Sequence, residues 1–221
     1  MTRRAYARLA GFMFLFYIAN GVAAMVVFNR ITSNQGVAGT LASIVQHAPL
    51  MRLTIVLTLL TAVDALVLAV ALYAITRDHD PDLAMLALAF RIGEGMVAAN
   101  AAVRSAGLLA LATRSAGPAA ADAAAANALG DFLLHGSGTL IGATLFAFGS
   151  TIYSYLFLRA RSIPLTLAWL GVVASVLLLL GLPLQLAGVL HGPVTNYIWI
   201  PMALFEVALA LWLLIKGVAE R

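Results

Sequence analysis

The residues with the clearest chemical potential are an arginine and a glutamate inside an apolar run, A-L-A-F-R-I-G-E-G-M-V-A-A-N at residues 87–100. A charge near the centre of a bilayer costs ~2.5–3.5 kcal/mol on insertion scales. The three-residue spacing puts Arg91 and Glu94 on one helix face, where they can pair. Gly93 and Gly95 flank the glutamate and leave room for another helix. The pattern predicts a polar site that binds an ion, a proton or a small polar ligand.

Three more polar residues fall at similar depth in other apolar runs, and they extend the predicted ligand- or ion-binding site. Asp64 and Glu206 are near the middle of the second and sixth runs, and Asn20 is central in the first. Lipid-facing positions do not tolerate such groups. We therefore expect the helix faces that carry them to converge inside a bundle.

The charges of this set do not balance. Asp64, Glu94 and Glu206 contribute three negative charges against the single positive charge of Arg91. An excess of buried charge is unfavourable in a low dielectric, so either one or two carboxyls hold protons or a cation or water compensates. The structural alternative is that the guanidinium, with its five donors, locks the helix register by serving Glu94 and Glu206.

Secondary candidates lie outside this centre. Asp131 and His135 are four residues apart near the outer surface, and one interpretation is a proton entry point or a ligand contact. The favoured interpretation makes Asp131 a helix N-cap and His135 an interfacial donor. The acidic turn R-D-H-D-P-D at 77–82 could suggest a metal site. A helix start with Asp80 as N-cap and Pro81 at the first helical position explains this pattern better. We predict no metal site.

Other classes of chemistry have little support in this sequence. There is no cysteine, which excludes disulfides and thiolate metal sites. The motifs GxSxG, HExxH and GxxxxGK[ST] do not occur, so common hydrolase, metalloprotease and nucleoside-triphosphatase interpretations lack support, and no cofactor is predicted. The net charge of +4 comes from residues at the ends of apolar runs, which points to a membrane rather than to nucleic acid.

The elements that must position these residues are membrane-spanning helices. Of 221 residues, 63% are hydrophobic and 10% are charged, whereas soluble domains average about 25% charged residues. Six runs exceed the ~18 residues that mark a spanning helix. The predicted fold class is an all-α, six-transmembrane-helix bundle in a single membrane domain, 1–221. The spans are about 9–28, 53–75, 83–111, 132–158, 165–186 and 198–218. The first is too long for a signal-peptide core and is interpreted as a retained helix.

The distribution of basic residues predicts the orientation. With the N-terminus inside, the inner side carries Arg3, Arg4, Arg8, Arg77, Arg159, Arg161, Lys216 and Arg221. The outer side carries Arg30, Arg52, Arg104 and Arg114. This excess inside predicts that both termini are cytoplasmic. The preference for arginine over lysine and the abundant alanine suggest a bacterial cytoplasmic membrane.

Three connections have recognisable patterns. Apolar residues recur at helical spacing within 29–52, which predicts a short amphipathic helix at the outer surface or over the bundle mouth. The alanine-rich segment 115–127 is predicted to extend the fourth span outward. Gly138 and Gly142 have the small-xxx-small spacing that lets helices approach closely. We interpret this spacing as packing within the bundle in preference to dimerisation.

Four pieces of the chain resemble the DUF4386 family of bacterial integral membrane proteins of unknown function. They are A-R-L-A-G-F near the start, L-A-F-R-I-G-E-G in the third span, Y-L-F-L-R-A-R-S-I-P after the fourth, and F-E-V-A-L-A-L-W-L-L-I-K-G-V at the end. The resemblance covers essentially the whole chain. It implies a six-span membrane protein and supplies no reaction, ligand or catalytic residue.

The function remains open among three classes. The first is binding or transport of an ion, a proton or a small polar ligand at the central charges. The second is a sensor, a regulator or a structural component, whose charges would only hold the helices together. The third and weakest is a membrane enzyme that uses Glu94 or Glu206, with His135, as acid or base. The expected partners are the lipid bilayer and such a ligand, and oligomerisation stays open.

Overall fold

The computed structural model describes residues 2–33, 36–115, 123–136 and 138–219. Its helices are α1 (Arg3–Thr32), α2 (Gly36–Gln46), α3 (Ala48–Thr76), α4 (Pro81–Ser115), α5 (Ala123–His135), α6 (Gly138–Ala160), α7 (Leu165–Leu186), α8 (Val194–Tyr197) and α9 (Ile200–Ile215). These described ranges contain no strand. The predicted all-α fold is confirmed.

Six helical segments are long and apolar enough to cross a membrane. Four are single helices, α1, α3, α4 and α7, and the other two are Ala123–Ala160 and Val194–Ile215. The six predicted spans are therefore confirmed, although the helices extend beyond the apolar runs at several ends. The fourth span consists of α5 and α6, and the sixth consists of α8 and α9. The predicted outward extension of the fourth span falls partly on 116–122, outside the described residues, and is otherwise helical from Ala123.

Several helix ends meet at one place, which we call the basal end: the starts of α1 and α4 and the ends of α3, α6 and the chain. Arg3 Nη2 donates to Ile75 O at 3.0 Å, and Arg3 Nη1 donates to Ala219 O at 3.4 Å. Arg159 Nη1 donates to Asp80 Oδ2 at 3.0 Å. Both ends of the described chain thus lie on the same side, as six antiparallel spans require.

The turn before α4 matches its prediction. The backbone N–H of Leu83 donates to Asp80 Oδ1 at 3.1 Å, which satisfies one of the free donors at the start of the helix. Pro81 is the first residue of α4, and Asp82 is in its first turn. Among the residues that the structure describes, no cluster of three metal-ligating side chains occurs.

The described residues group into two compact units. Unit 1 comprises Met1–Tyr17, Val63–Met96 and Leu140–Arg221, and unit 2 comprises Ile18–Ala62 and Val97–Thr139. Unit 1 has an apolar core in which alanines and glycines allow the helices to approach closely. At Gly171, for example, an added Cβ would lie 2.5 Å from the ring of Phe205 and 2.7 Å from Ser154 Oγ. α7 therefore packs directly on α6 and α9.

Unit 2 contains the predicted short helix, which is α2. Leu41 and Ile44 on one face of α2 are buried with Ile31, Met51 and Leu108. An added Cβ at Gly130 of α5 would lie 2.5 Å from Val37 Cγ1, so α2 and α5 are in close contact. The predicted short helix is confirmed, and its buried face packs on protein.

An arginine of α4 binds two backbone carbonyls at the end of α5. Arg104 Nη2 donates to Leu133 O at 2.8 Å, and Arg104 Nη1 donates to Gly136 O at 3.2 Å. Arg104 therefore links α4 to two backbone carbonyls at the end of α5. An added Cβ at Gly138 would lie 3.1 Å from Arg104 Nη1, which assigns one glycine of the Gly138–Gly142 pair to internal packing.

Candidate functional site

Arg91 is held in a slot between α4 and α6. Its side chain is 1% exposed. An added Cβ at Gly149 would lie 2.9 Å from Arg91 Cγ and 3.0 Å from Arg91 Cδ, so the aliphatic stem passes directly over this glycine. The guanidinium carbon lies 4.8 Å from the centre of the Phe146 ring, where a cation is attracted to the aromatic face. A short stretch of α6 thus supports the whole arginine side chain.

Glu94 is the charge partner of Arg91 and is contacted at both oxygens. Arg91 Nη1 lies 2.8 Å from Glu94 Oε2, an ion pair that is not aligned as a hydrogen bond. Tyr17 Oη donates to Glu94 Oε1 at 3.0 Å. Since both neighbours present positive charge or a donor, Glu94 fits the ionised form. The i,i+3 pairing predicted from the sequence is confirmed, and the tyrosine links α1 to α4.

Glu206 reaches the same place from α9. It is 9% exposed, and it lines one small cavity together with Arg91, Ser150, Tyr153 and Ser154. The remaining lining is apolar: Phe14, Leu72, Phe157, Met202, Phe205 and Leu209. The cavity therefore joins a guanidinium, a carboxyl and hydroxyl groups from α4, α6 and α9 within an otherwise apolar surround.

The cavity has the size of a single water molecule. The volume open to a water centre is about 10 Å³, and about 10–15 Å³ by this measure is needed to hold one water. Arg91 Nε, Arg91 Nη2 and Glu206 Oε1 are buried without a hydrogen-bond partner among the described residues. Unsatisfied buried donors and acceptors cost about 1–3 kcal/mol each. A polar ligand of this size would satisfy them.

The other predicted site residues are buried and do not line the cavity. Asp64 of α3 is 3% exposed and has polar or electrostatic interactions, yet it is not among the residues that line the cavity. Asn20 is 8% exposed and belongs to unit 2. All five predicted central residues are therefore buried within the protein. The structure brings Arg91 and Glu94 together and places Arg91 and Glu206 on one cavity.

The secondary pair Asp131 and His135 lies in α5 of unit 2. His135 Nδ1 is 2.9 Å from Asp131 Oδ1, and the two side chains are 71% and 65% exposed. The interpretation of Asp131 as a helix N-cap is wrong, because α5 begins at Ala123 and Asp131 is in its interior. The alanines before Asp131 are themselves strong helix formers, and they start the helix earlier. The pair forms an exposed i,i+4 contact.

Several contributors to this centre were not predicted from the sequence. Tyr17 could have been recognised from the sequence as a site residue, because a tyrosine within an apolar span has a hydroxyl that needs a hydrogen-bond partner. Ser150 and Ser154 could also have been recognised, since they are four residues apart on α6 and so share a face. Nothing in the sequence distinguishes Gly149 and Phe146 as site residues, since glycine and phenylalanine are ordinary residues in packed spans.

These features define a class of protein: a multi-pass helical membrane protein with a buried, charged centre. The sequence profile described as Domain of unknown function (DUF4386) matches residues 9–217. The chain belongs to this family, which confirms the resemblance seen in the sequence. No curated protein matches the chain significantly. No solved structure matches it significantly either.

Proposed function

We propose that this membrane protein binds and exchanges a proton at Glu206, with one water molecule in the adjoining cavity. The observation that carries the proposal has two parts: Glu206 Oε1 and the Arg91 donors Nε and Nη2 are buried without a hydrogen-bond partner among the described residues, and both residues line one water-sized cavity. A water molecule there accepts from Arg91 and donates to Glu206, so that both are satisfied.

Charge balance supports the assignment of the proton to Glu206. Arg91 and Glu94 are in contact at 2.8 Å and neutralise each other. An ionised Glu206 would then add an uncompensated charge to a low-dielectric interior, at a cost of several kcal/mol. A neutral carboxyl avoids that cost. In this arrangement Glu94 is a fixed counter-ion, and Glu206 is the group that exchanges.

A proton fits this centre better than a metal ion or an anion does. The cavity has room for about one water, so a hydrated ion does not fit. The Arg91 guanidinium on its wall opposes a cation, and an ionised Glu206 opposes an anion. The proton removes the charge of Glu206 without needing space.

The test is proton uptake by purified protein in lipid nanodiscs after a step from alkaline to neutral pH. Exposed carboxyls stay ionised throughout this step and contribute nothing. We expect the wild type to take up about one more proton per chain than Glu206→Gln, since a single carboxyl is removed. Asp131→Asn, which changes an exposed carboxyl, should match the wild type. Equal uptake by the wild type and Glu206→Gln would refute the proposal.

A second candidate is a purely structural role for the charges, within a sensor, regulator or other non-catalytic component. The link from Tyr17 of α1 to Glu94 of α4 favours it, because a buried hydrogen-bonded charge fixes the register of two helices. This role predicts that Glu206→Gln changes stability without changing proton uptake. The same experiment therefore separates the two functions.

The location and orientation form part of the proposal. We place the chain in a bacterial cytoplasmic membrane with both termini in the cytoplasm, because basic residues are concentrated at the basal end and in its turns. Arg3, Arg77 and Arg159 are examples. The bilayer is then the principal partner, and the proton is the ligand.

A further inference from the structure

We propose that the cavity beside Glu206 opens toward the basal end, past Leu72 and Phe157, and is closed in the opposite direction by Phe146 and Trp199. The inference rests on the proposed function in one respect: it names the side from which the proton of Glu206 comes. The opening itself follows from the depth of the lining residues.

The lining residues approach the basal end on two helices. α3 ends at Thr76, four residues after Leu72, and α6 ends at Ala160, three residues after Phe157. At 1.5 Å per residue, these side chains are attached roughly 4.5–6 Å from the helix ends. The same helix ends are fixed at the basal end by Arg3 bound to Ile75 O and by Arg159 bound to Asp80. One layer of side chains therefore separates the cavity from the basal surface.

The polar groups continue in the same direction. Ser154 is one turn closer to the end of α6 than Ser150, and both line the cavity. Ser150 is ten residues before the end of α6, and Arg91 is ten residues after the start of α4, so the two are at about the same depth, roughly 15 Å from the basal end. Hydroxyl groups thus lead from the charged centre toward the basal surface.

The opposite direction is blocked by aromatic rings. Phe146 covers the guanidinium at 4.8 Å, and its ring is stacked on Trp199 at a centroid distance of 6.3 Å. Phe146 is itself 5% exposed. A proton that reached Glu206 from this direction would have to pass two aromatic rings in succession, with no hydroxyl or carboxyl among the cavity-lining residues described on that side.

The absence of cysteine from the chain makes a sided labelling experiment direct. Single variants Ser154→Cys and Ser150→Cys are reconstituted in sealed vesicles and exposed to a small, membrane-impermeant thiol reagent on one side at a time. Asp82→Cys at the exposed start of α4 marks the basal side, and the exposed Asn196→Cys marks the other. Each variant is compared with these markers within the same vesicle preparation.

We expect Ser154→Cys to be labelled from the basal side on the order of tenfold faster than from the other side, since thiol reactivity follows access. Adding Phe157→Ala should increase that rate, and adding Trp199→Ala should leave it unchanged. Should Phe157→Ala fail to fold, Leu72→Ala removes the other closing side chain and tests the same point.

Three outcomes overturn the inference. They are faster labelling from the Asn196 side, acceleration by Trp199→Ala, and an unreactive Ser154→Cys even in the Phe157→Ala and Leu72→Ala backgrounds. Basal labelling combined with unchanged proton uptake in Glu206→Gln refutes the proposed function and leaves the basal opening standing. Proton uptake that depends on Glu206, combined with labelling from the other side, refutes the basal opening alone.

Discussion

Arg91→Met should abolish most of the folded yield of this protein. The methionine matches the length of the stem and removes the only positive charge at the centre described here, so Glu94 is left as a buried carboxylate without a counter-ion. Breaking a buried pair by removing one partner costs about 3–5 kcal/mol, which is a large share of the roughly 5–15 kcal/mol that stabilises typical proteins. Monodisperse yield after detergent extraction and the thermal transition midpoint measure the effect.

The double variant Arg91→Met/Glu94→Gln should recover much of that loss. The amide introduced in place of Glu94 retains an oxygen that accepts from Tyr17, and no ionised group remains unpaired if Glu206 already holds a proton. The matched control is Arg159→Met, whose side chain is 56% exposed and pairs with Asp80, because surface pairs contribute about 0–1 kcal/mol. An Arg91→Met variant as stable as this control, or a double variant no better than the single one, would contradict the charge account.

Gly11→Ala should separate α1 from α9 and lower the stability of unit 1. An added Cβ would lie 2.6 Å from Ala210 O and 2.8 Å from Leu214 N, both of them backbone atoms of α9. A flexible side chain can move away from such a contact, but a helix backbone cannot do so without shifting the whole helix. Overpacking costs about 1–3 kcal/mol in well-packed cores, and we expect the upper part of that range here.

Gly21→Ala is the matched control, because it makes the same chemical change on the same helix. An added Cβ at Gly21 meets no atom within 4 Å among the described residues. We expect Gly21→Ala to keep the wild-type thermal midpoint and Gly11→Ala to lower it by several degrees. Equal midpoints for the two variants would show that α1 and α9 are not in backbone contact.

The fold could be predicted from the sequence because it follows from the length of apolar runs. A run longer than ~18 residues has few alternatives to a spanning helix, since backbone groups must be satisfied within the segment. The residues at which the helices begin and end could not be predicted equally well. α4 continues to Ser115, four residues beyond its predicted end, because alanine, leucine and arginine continue a helix whether or not lipid surrounds it.

The break between α5 and α6 is the main feature of the fold that the sequence did not reveal. Gly136 and Gly138 are as typical of close packing between helices as they are of the end of a helix. At the end of α5, Arg104 donates to Leu133 O and Gly136 O, from about 30 positions earlier in the chain. A contact between distant positions of this kind has no local pattern.

The candidate site was predictable only as far as local spacing allows. Arg91 and Glu94 pair because they are three residues apart on one helix. The position of Glu206 depends on the rotation of α9, whose buried face carries Met202, Phe205, Leu209 and Ala210 beside the glutamate. An almost wholly apolar helix does not show which face is buried. That face is set by Gly11 and Gly171, where neighbouring helices meet α9 most closely.

The central claim is that Glu206 is neutral while Arg91 and Glu94 form an ion pair, and infrared spectroscopy of the carboxyl groups tests it most directly. At neutral pH the account predicts a protonated carboxyl C=O band that disappears in Glu206→Gln and persists in Asp131→Asn. The band should shift in deuterium oxide, because the proton exchanges. A spectrum in which Glu206→Gln removes only ionised carboxylate absorption would contradict the claim.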